Sequence, residues 1–278
     1  MIKHFVDILK EHKIDISKEY STLYSLIYDK QVAFGKYKSF YDEISEEFLY
    51  VSFRGTAISL EDFEEKHNIY FSESPNDFSL DYFILFCEYW YNMSKQFYWN
   101  CNYMFSNTSP SFIIGQIDTI IEELNFKQIN KDNFVLFVPK DNAAIEVSEV
   151  VSENSFETLF YNHYSLKGDL NSKRELLIKF ASYLEPRRRK LNSINSKLES
   201  DLFQLFNKLH IRHNNKNIND PGHYVEFVAD MNNEELEKWY DEVYQMYLLA
   251  ILELEHLERK KELNVLINNI NNKFEKVK

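Results

Sequence analysis

Apolar residues recur every three or four positions along most of this chain, the period of an amphipathic helix. Ile2, Phe5, Ile8 and Leu9 predict a short helix over 2–13, and helical spacing continues through Tyr20–Phe48. Phe48–Arg54 fits a strand or a buried helical turn, ended by Gly55. Ser59 with Asp62 reads as a helix start, Asn68–Asp77 with Pro75 as a loop, and Ser79 as the opening of an aromatic helix reaching about Phe105. Ser111–Leu124 is helical. Then the period changes from helix to strand: Phe126–Ile129 and Phe134–Val138 flank the turn Asn130–Asn133, and Pro139 closes a small β-hairpin. Helix resumes over Ala143–Ser165 and stops at Lys167-Gly168. Ser172 with Glu175 fits a capping box for a helix to Tyr183, and Pro186 kinks it or starts the next. Leu191, Ile194, Leu198, Leu202, Leu205 and Leu209 form one apolar stripe, Asn214–Gly222 a polar turn. The final helix carries Leu236, Trp239, Val243, Tyr247, Ala250, Leu254 and Leu257 on one face, and the tail Asn264–Lys278 is expected to fray.

The fold expected is mainly α, an antiparallel helical bundle with one small β-hairpin near 126–138. Ser106–Pro110 is the best linker, which places an N-terminal helical domain of unknown role at 1–108 and a second domain at 109–278. Composition agrees. Five Gly and five Pro in 278 residues are too few for a turn-rich sandwich or a glycine-built phosphate loop. The two cysteines, Cys87 and Cys101, sit among aromatics and read as buried free thiols in a reducing cytoplasm. Charges interrupt the first apolar run, so it is no signal peptide, and Glu88 and Lys95 break the most apolar window, 82–101, so no membrane span is expected.

Charge distribution changes the picture more than net charge does. The chain carries −12 overall, yet Asn171–Lys216 holds 11 Lys/Arg and four acids. That basic segment ends in Ile211-Arg212-His213-Asn214-Asn215. A histidine titrates near pH 6.5, so it can take a proton from a ribose 2′-hydroxyl or give one to a leaving 5′-oxygen. An arginine can stabilise charge building on the phosphorus. The alternative for the same residues is a polar helix end. Arg187, Arg188, Arg189 and Lys190 point around most of a helical circumference, so some must face solvent or a phosphate. Lys208 and Lys216 extend the same RNA-binding candidate. Against this, 217–258 holds 11 acids and one base, so the basic helix could neutralise its successor across a hairpin. His163 reads as a hydrogen-bonded core histidine, with a supporting role beside Arg212 as its alternative. The stripe Phe83, Phe86, Trp90, Phe97 and Trp99 reads as core rather than a base-stacking platform.

A helix ending in Arg, a polar residue and a short polar run, followed by another helix, resembles the HEPN ribonuclease motif. Tyr161–Asp169, Leu184-Glu-Pro186 and Asn207–Asn215 are similar to the C-terminal region of bacterial abortive-infection proteins. The resemblance covers roughly 110–258, with none for 1–108. It implies a helical bundle, usually a homodimer with the motif at its interface, and metal-independent endoribonuclease activity in phage defence or a toxin–antitoxin pair, with no cofactor. Arg212 matches the motif arginine and His213 the polar position after it. The chain departs from the family where the second histidine belongs, four to six residues on: 217–219 are Asn-Ile-Asn, and the next histidine is His223.

The resulting expectation is a cytoplasmic RNA-cleaving effector. Arg212 would stabilise the transition state, His213 or His223 would be the acid–base, and Asn214 a polar support. Residues before 109 would sense a partner protein or phage-derived trigger, or hold the site closed. The competing expectation is a non-enzymatic sensor, adaptor or antitoxin built on a degenerate bundle, which the displaced histidine favours.

Overall fold

A computed structural model describes residues 14–33, 36–97 and 108–275. The segment 2–13, the last part of the aromatic helix, Trp99, Cys101 and the start of the 106–110 linker lie outside them. The fold is mainly α and divides into two compact units, 1–137 and 138–278. The division falls beyond the 106–110 linker because the helix after that linker packs on the aromatic helix before it. Among the described residues no helix is long and apolar enough to cross a membrane.

In the first unit, α1 (Ile16–Tyr28) is capped by Asp15, whose carboxylate accepts from the backbone N–H of Ser17 and Lys18. The expected helix through Phe48 is interrupted. Strands β1 (Gln31–Ala33) and β2 (Lys36–Lys38) pair antiparallel, with Val32 opposite Tyr37. Helix α2 (Phe40–Glu46) restarts on a Ser39–Asp42 capping box, and Phe48–Tyr50 is a 3-10 turn rather than a strand. Ser59 caps α3 (Leu60–His67) as expected. Helix α4 (Leu80–Phe97) is the core element: Phe83, Phe86, Trp90, Met93 and Phe97 are all buried, so the aromatic stripe is core. Helix α5 (Pro110–Glu123), capped by Ser109 with Pro110 in its first turn, packs on α4.

Strands β3 (Phe126–Lys131) and β4 (Phe134–Pro139) form the expected hairpin, with Asp132 left-handed in its turn at φ 54°. Helix α4 closes the hairpin's free edge. The Asn92 amide both accepts from Val135 N–H and donates to its carbonyl, each at 2.8 Å, and Glu88 accepts from Phe137 N–H at 2.6 Å. Two side chains thus substitute for a third strand along β4.

The second unit is built on α12 (Asn233–Glu275), packed by α6 (Asn142–Val150), α8 (Leu170–Leu184), α9 (Arg188–Ile194) and α10 (Ser196–Lys208); α7 (Ser155–Phe160) and α11 (Glu226–Ala229) are short. The helix expected over Ala143–Ser165 is broken after Val150 by a 3-10 turn and again after Phe160. Gly168, at φ 76°, makes the left-handed turn into α8 and donates its N–H to Glu237 at 2.9 Å. The cap of α8 is Asp169, not Ser172: its carboxylate accepts from the N–H and hydroxyl of Ser172. The Leu191–Leu209 stripe is split at Asn195, whose side chain caps α10.

Helices α8, α10 and α12 run up, down and up. Lys173 of α8 meets Glu237 and Asp241 of α12 at 2.8 and 2.7 Å, and Lys190 of α9 meets Glu258. Asn195, before α10, meets Glu253, whereas the loop after α10 meets Tyr240. Lys173 is buried, and its two carboxylates and the Tyr161 ring supply the charge balance that burial demands. Phe180 stacks on Tyr247 and Tyr161 on Tyr244 at the centre. Leu236, Val243, Tyr247, Ala250 and Leu254 are buried as expected and are joined by Tyr240 and Tyr244, whereas Trp239, expected on that face, is 42% exposed. Helix continues through the expected fraying tail as far as Glu275.

Candidate functional site

The site is the loop between α10 and α11. Leu205 C=O accepts the last helical bond of α10, from Leu209 N–H, and His210 then turns left-handed at φ 56°. This conformation is costly for a residue with a β-carbon and persists only where neighbours enforce it. Here Arg174 Nε and Tyr240 Oη both donate to the His210 carbonyl, at 2.6 and 3.2 Å. Ile211 follows, fully buried, and anchors the turn in the bundle.

Arg212 leaves this anchor toward α8. Its guanidinium donates to the Ala181 carbonyl at 3.0 Å, pairs with Glu185 at 2.5 Å, and lies over the rings of Phe203 and Phe206. The side chain is 22% exposed. His213 is the next residue, and its ring stacks on that of His223, centroids 4.1 Å apart and planes 23° apart. The polar turn therefore returns His223 to the motif despite the irregular spacing. Asp220 Oδ2 lies 3.0 Å from His223 Nδ1. A carboxylate only accepts, so Nδ1 carries the proton and Nε2 is left for other chemistry. His213 titrates below the usual histidine range because burial opposes its charging, helped by His223 and Arg212. His210 is shifted the same way, by burial first and then Arg174 and Lys216.

Asn214 is not the polar support expected. It is exposed, and its carbonyl only closes a turn with Asn217 N–H. The neighbouring Asn215 takes that role. It is 0% exposed; its side chain accepts from His210 N–H at 2.8 Å and donates to the carbonyls of Asn207 and His223 at 3.1 and 2.6 Å. Its own carbonyl accepts from Val225 N–H at 2.9 Å. A polar run without periodicity contains no signal to single out one asparagine of the pair.

The basic cluster is more consumed than expected. Arg187 donates to Tyr183 C=O at 2.7 Å and stacks on that ring. Arg188 pairs with Glu199, holding that carboxyl below the usual range through the hydrogen bond even though burial opposes it. Lys190 pairs with Glu258. Arg189 is exposed and, with the exposed Lys208, has no ion pair among the described residues. Lys216 turns inward to Met231 C=O at 3.4 Å. His163 is a buried cap: its Nδ1 accepts from Ser165 N–H and lies 2.7 Å from the Ser165 hydroxyl. Among the described residues no three His, Cys, Asp or Glu side chains are placed to hold a metal ion.

The structure thus brings His213 and His223 together with Asp220 on His223, turns the adjacent Arg212 toward Ala181 and Glu185, and leaves Arg189 and Lys208 without an ion pair among the described residues. Compared with known proteins, the chain matches no family model, no curated protein and no solved structure.

Proposed function

We propose that this chain is a ribonuclease effector of the HEPN kind, cutting RNA with His213 as the base and His223 as the acid. The observation that carries the reading is the stacking of these two rings 4.1 Å apart, with His213 directly following Arg212 in the chain. His213, biased toward its neutral form, takes the 2′-hydroxyl proton. The 2′-oxygen attacks the phosphorus, Arg212 offsets the charge on the phosphoryl oxygens, and His223 gives a proton to the leaving 5′-oxygen. Asp220 fixes which nitrogen His223 presents. The products are a 2′,3′-cyclic phosphate and a free 5′-hydroxyl. A role in phage defence or a toxin–antitoxin pair rests on the resemblance, and the sensing of a trigger is assigned to the residues before 109, which the resemblance does not cover.

One observation favours the competing reading. The Arg212 guanidinium is already occupied by Ala181 and Glu185, as in a structural tie. In that reading the protein is a sensor, adaptor or antitoxin that binds without cutting. Incubating the full chain with varied synthetic RNAs between pH 5 and 8 separates the two. Fragments ending in 2′,3′-cyclic phosphate, lost in His213→Ala and in His223→Ala, support the ribonuclease. Intact RNA at every pH, together with normal growth on expression, makes the adaptor the better reading.

A further inference from the structure

Glu185 stands between two arginines. Its Oε2 lies 2.5 Å from Arg212 Nη2, and its Oε1 lies 4.0 Å from Arg188 Nη1. The two guanidiniums share a second neighbour. Arg188 Cζ is 4.4 Å and Arg212 Cζ 5.5 Å from the centroid of the Phe203 ring, which is buried in α10. Two cations, one from α9 and one from the loop after α10, thus converge on one ring, with a carboxylate from the end of α8 between them.

Like charges drawn together in this way repel unless anions join them. Two carboxylates do so here, and they are held differently. Glu199 is 7% exposed and accepts from Arg188 Nε and from Asn192 Nδ2, so it is fixed in the fold. Glu185 is 48% exposed, and among the described residues its carboxylate pairs only with these two arginines. An ion pair that exposed contributes little to stability, so another anion can take its place at small cost.

The donors are only partly used. A guanidinium carries five N–H groups. Arg212 directs one to Ala181 C=O, and Arg188 directs its Nε–H to Glu199. At 4.0 Å, Arg188 Nη1 is beyond hydrogen-bond reach of Glu185. The flat carboxylate therefore serves one arginine closely and the other poorly. A phosphate group is tetrahedral and carries more oxygens, so it can accept from both guanidiniums at once.

We propose that Arg188 and Arg212, on the Phe203 ring, form a phosphate-binding seat that Glu185 fills until a phosphate displaces it. Arg188 then has a second task beside its tie to Glu199. The seat does not depend on the histidine chemistry: a ribonuclease and a non-cutting sensor would use it alike. Its phosphate can belong to an RNA backbone or to a free phosphate ester.

The test compares affinities of the full chain for two probes at one salt concentration. One is inorganic phosphate, followed through the arginine Nε–H signals in NMR. The other is a fluorescent single-stranded RNA with every 2′-hydroxyl methylated, so that binding is read without cutting. Glu185→Gln should tighten binding about fivefold or more, because the competing charge is gone. Adding Arg188→Gln to that variant should weaken binding about tenfold or more, the loss of a charge-assisted contact. Glu175→Gln removes the same charge from α8 about 15 Å away along the helix, and should change neither affinity. Misfolding cannot imitate the result, since the first variant is expected to gain affinity. A gain for the RNA assigns the seat to backbone phosphates, and a gain for inorganic phosphate alone assigns it to a free phosphate ester. Affinities unchanged in Glu185→Gln, a gain that survives Arg188→Gln, or an equal gain in Glu175→Gln would overturn the proposal.

Discussion

Asn215 Nδ2 donates to the carbonyl of His223 at 2.6 Å while Asn215 Oδ1 accepts from His210 N–H at 2.8 Å. One buried amide thus ties the strained end of α10 to the residue that stacks on His213. Truncating it removes the side-chain partner of three part-buried backbone groups.

Asn215→Ala should destabilise the protein by about 2 kcal/mol, the cost of removing a fully buried amide and its three hydrogen bonds to part-buried backbone groups. It should also release His223 from His213. Urea unfolding reads the first effect, and the ring-proton contact between the two imidazoles in NMR reads the second. Asn215→Asp should be nearly as damaging, because a carboxylate accepts from His210 but cannot donate to the carbonyls of Asn207 and His223. Retention of the ring contact in both variants would remove Asn215 from its positioning role.

The pH dependence of His213 has a definite sign. Burial, His223 and Arg212 all lower its folded-state pKa below the value near 6.5 of an unfolded histidine. Between those two values the unfolded chain binds more protons than the folded one, so stability falls as pH drops from about 6.5 toward the folded pKa. A proton titration of the ring should show a midpoint below about 6.5, moving upward in His223→Asn, where one competing positive charge is gone. A midpoint unchanged in that variant would mean the two rings do not titrate together.

What was legible in the sequence and what was not divides along local and non-local lines. Ser59 acts through Asp62, three residues on, and the hairpin through the short turn that holds Asp132, so that cap and the hairpin follow from the sequence pattern. Asn195 looks like any polar position in the Leu191–Leu209 stripe. It breaks the helix because its side chain can cap α10 and reach Glu253, a contact 58 residues away. Ser172 with Glu175 mimics a capping box, but Asp169 outcompetes it by accepting from both Ser172 donors. At the site, Arg212 and His213 are marked by charge pattern alone. The pairing of His213 with His223 depends on a turn whose geometry Asn215 sets from within, and adjacent Asn214 has the same side chain.

The basic cluster should separate into structural and free cations. Arg188→Gln should cost about 1 kcal/mol, modest because half of its side chain is in water, since the well-buried Glu199 loses its charged partner. Arg189→Gln and Lys208→Gln should leave the thermal midpoint within error. If RNA binds here, these two changes together should reduce the slope of log affinity against log salt by about 2, one for each phosphate no longer neutralised. An unchanged slope would place the RNA-binding cations elsewhere.

Arg212 carries both readings of the protein, so its substitution needs a companion. Arg212→Ala removes a hydrogen bond to Ala181, an ion pair to Glu185 and packing on Phe203 and Phe206. A stability loss of about 1–2 kcal/mol is expected on structural grounds alone. Rates must therefore be compared well below the variant's melting temperature. In a ribonuclease, removing the positive charge that faces the transition state should slow cutting by about 10²–10³ beyond any effect of unfolding. Glu185→Gln is the companion: it keeps a hydrogen-bond acceptor for the guanidinium but removes the competing negative charge. If Arg212 meets phosphate, Glu185→Gln should bind RNA more tightly and cut at least as fast as wild type. If Arg212 is only a tie between α8 and the loop, Glu185→Gln should lower the melting point without changing RNA affinity, and Arg212→Lys should restore stability in part with no catalytic phenotype to rescue.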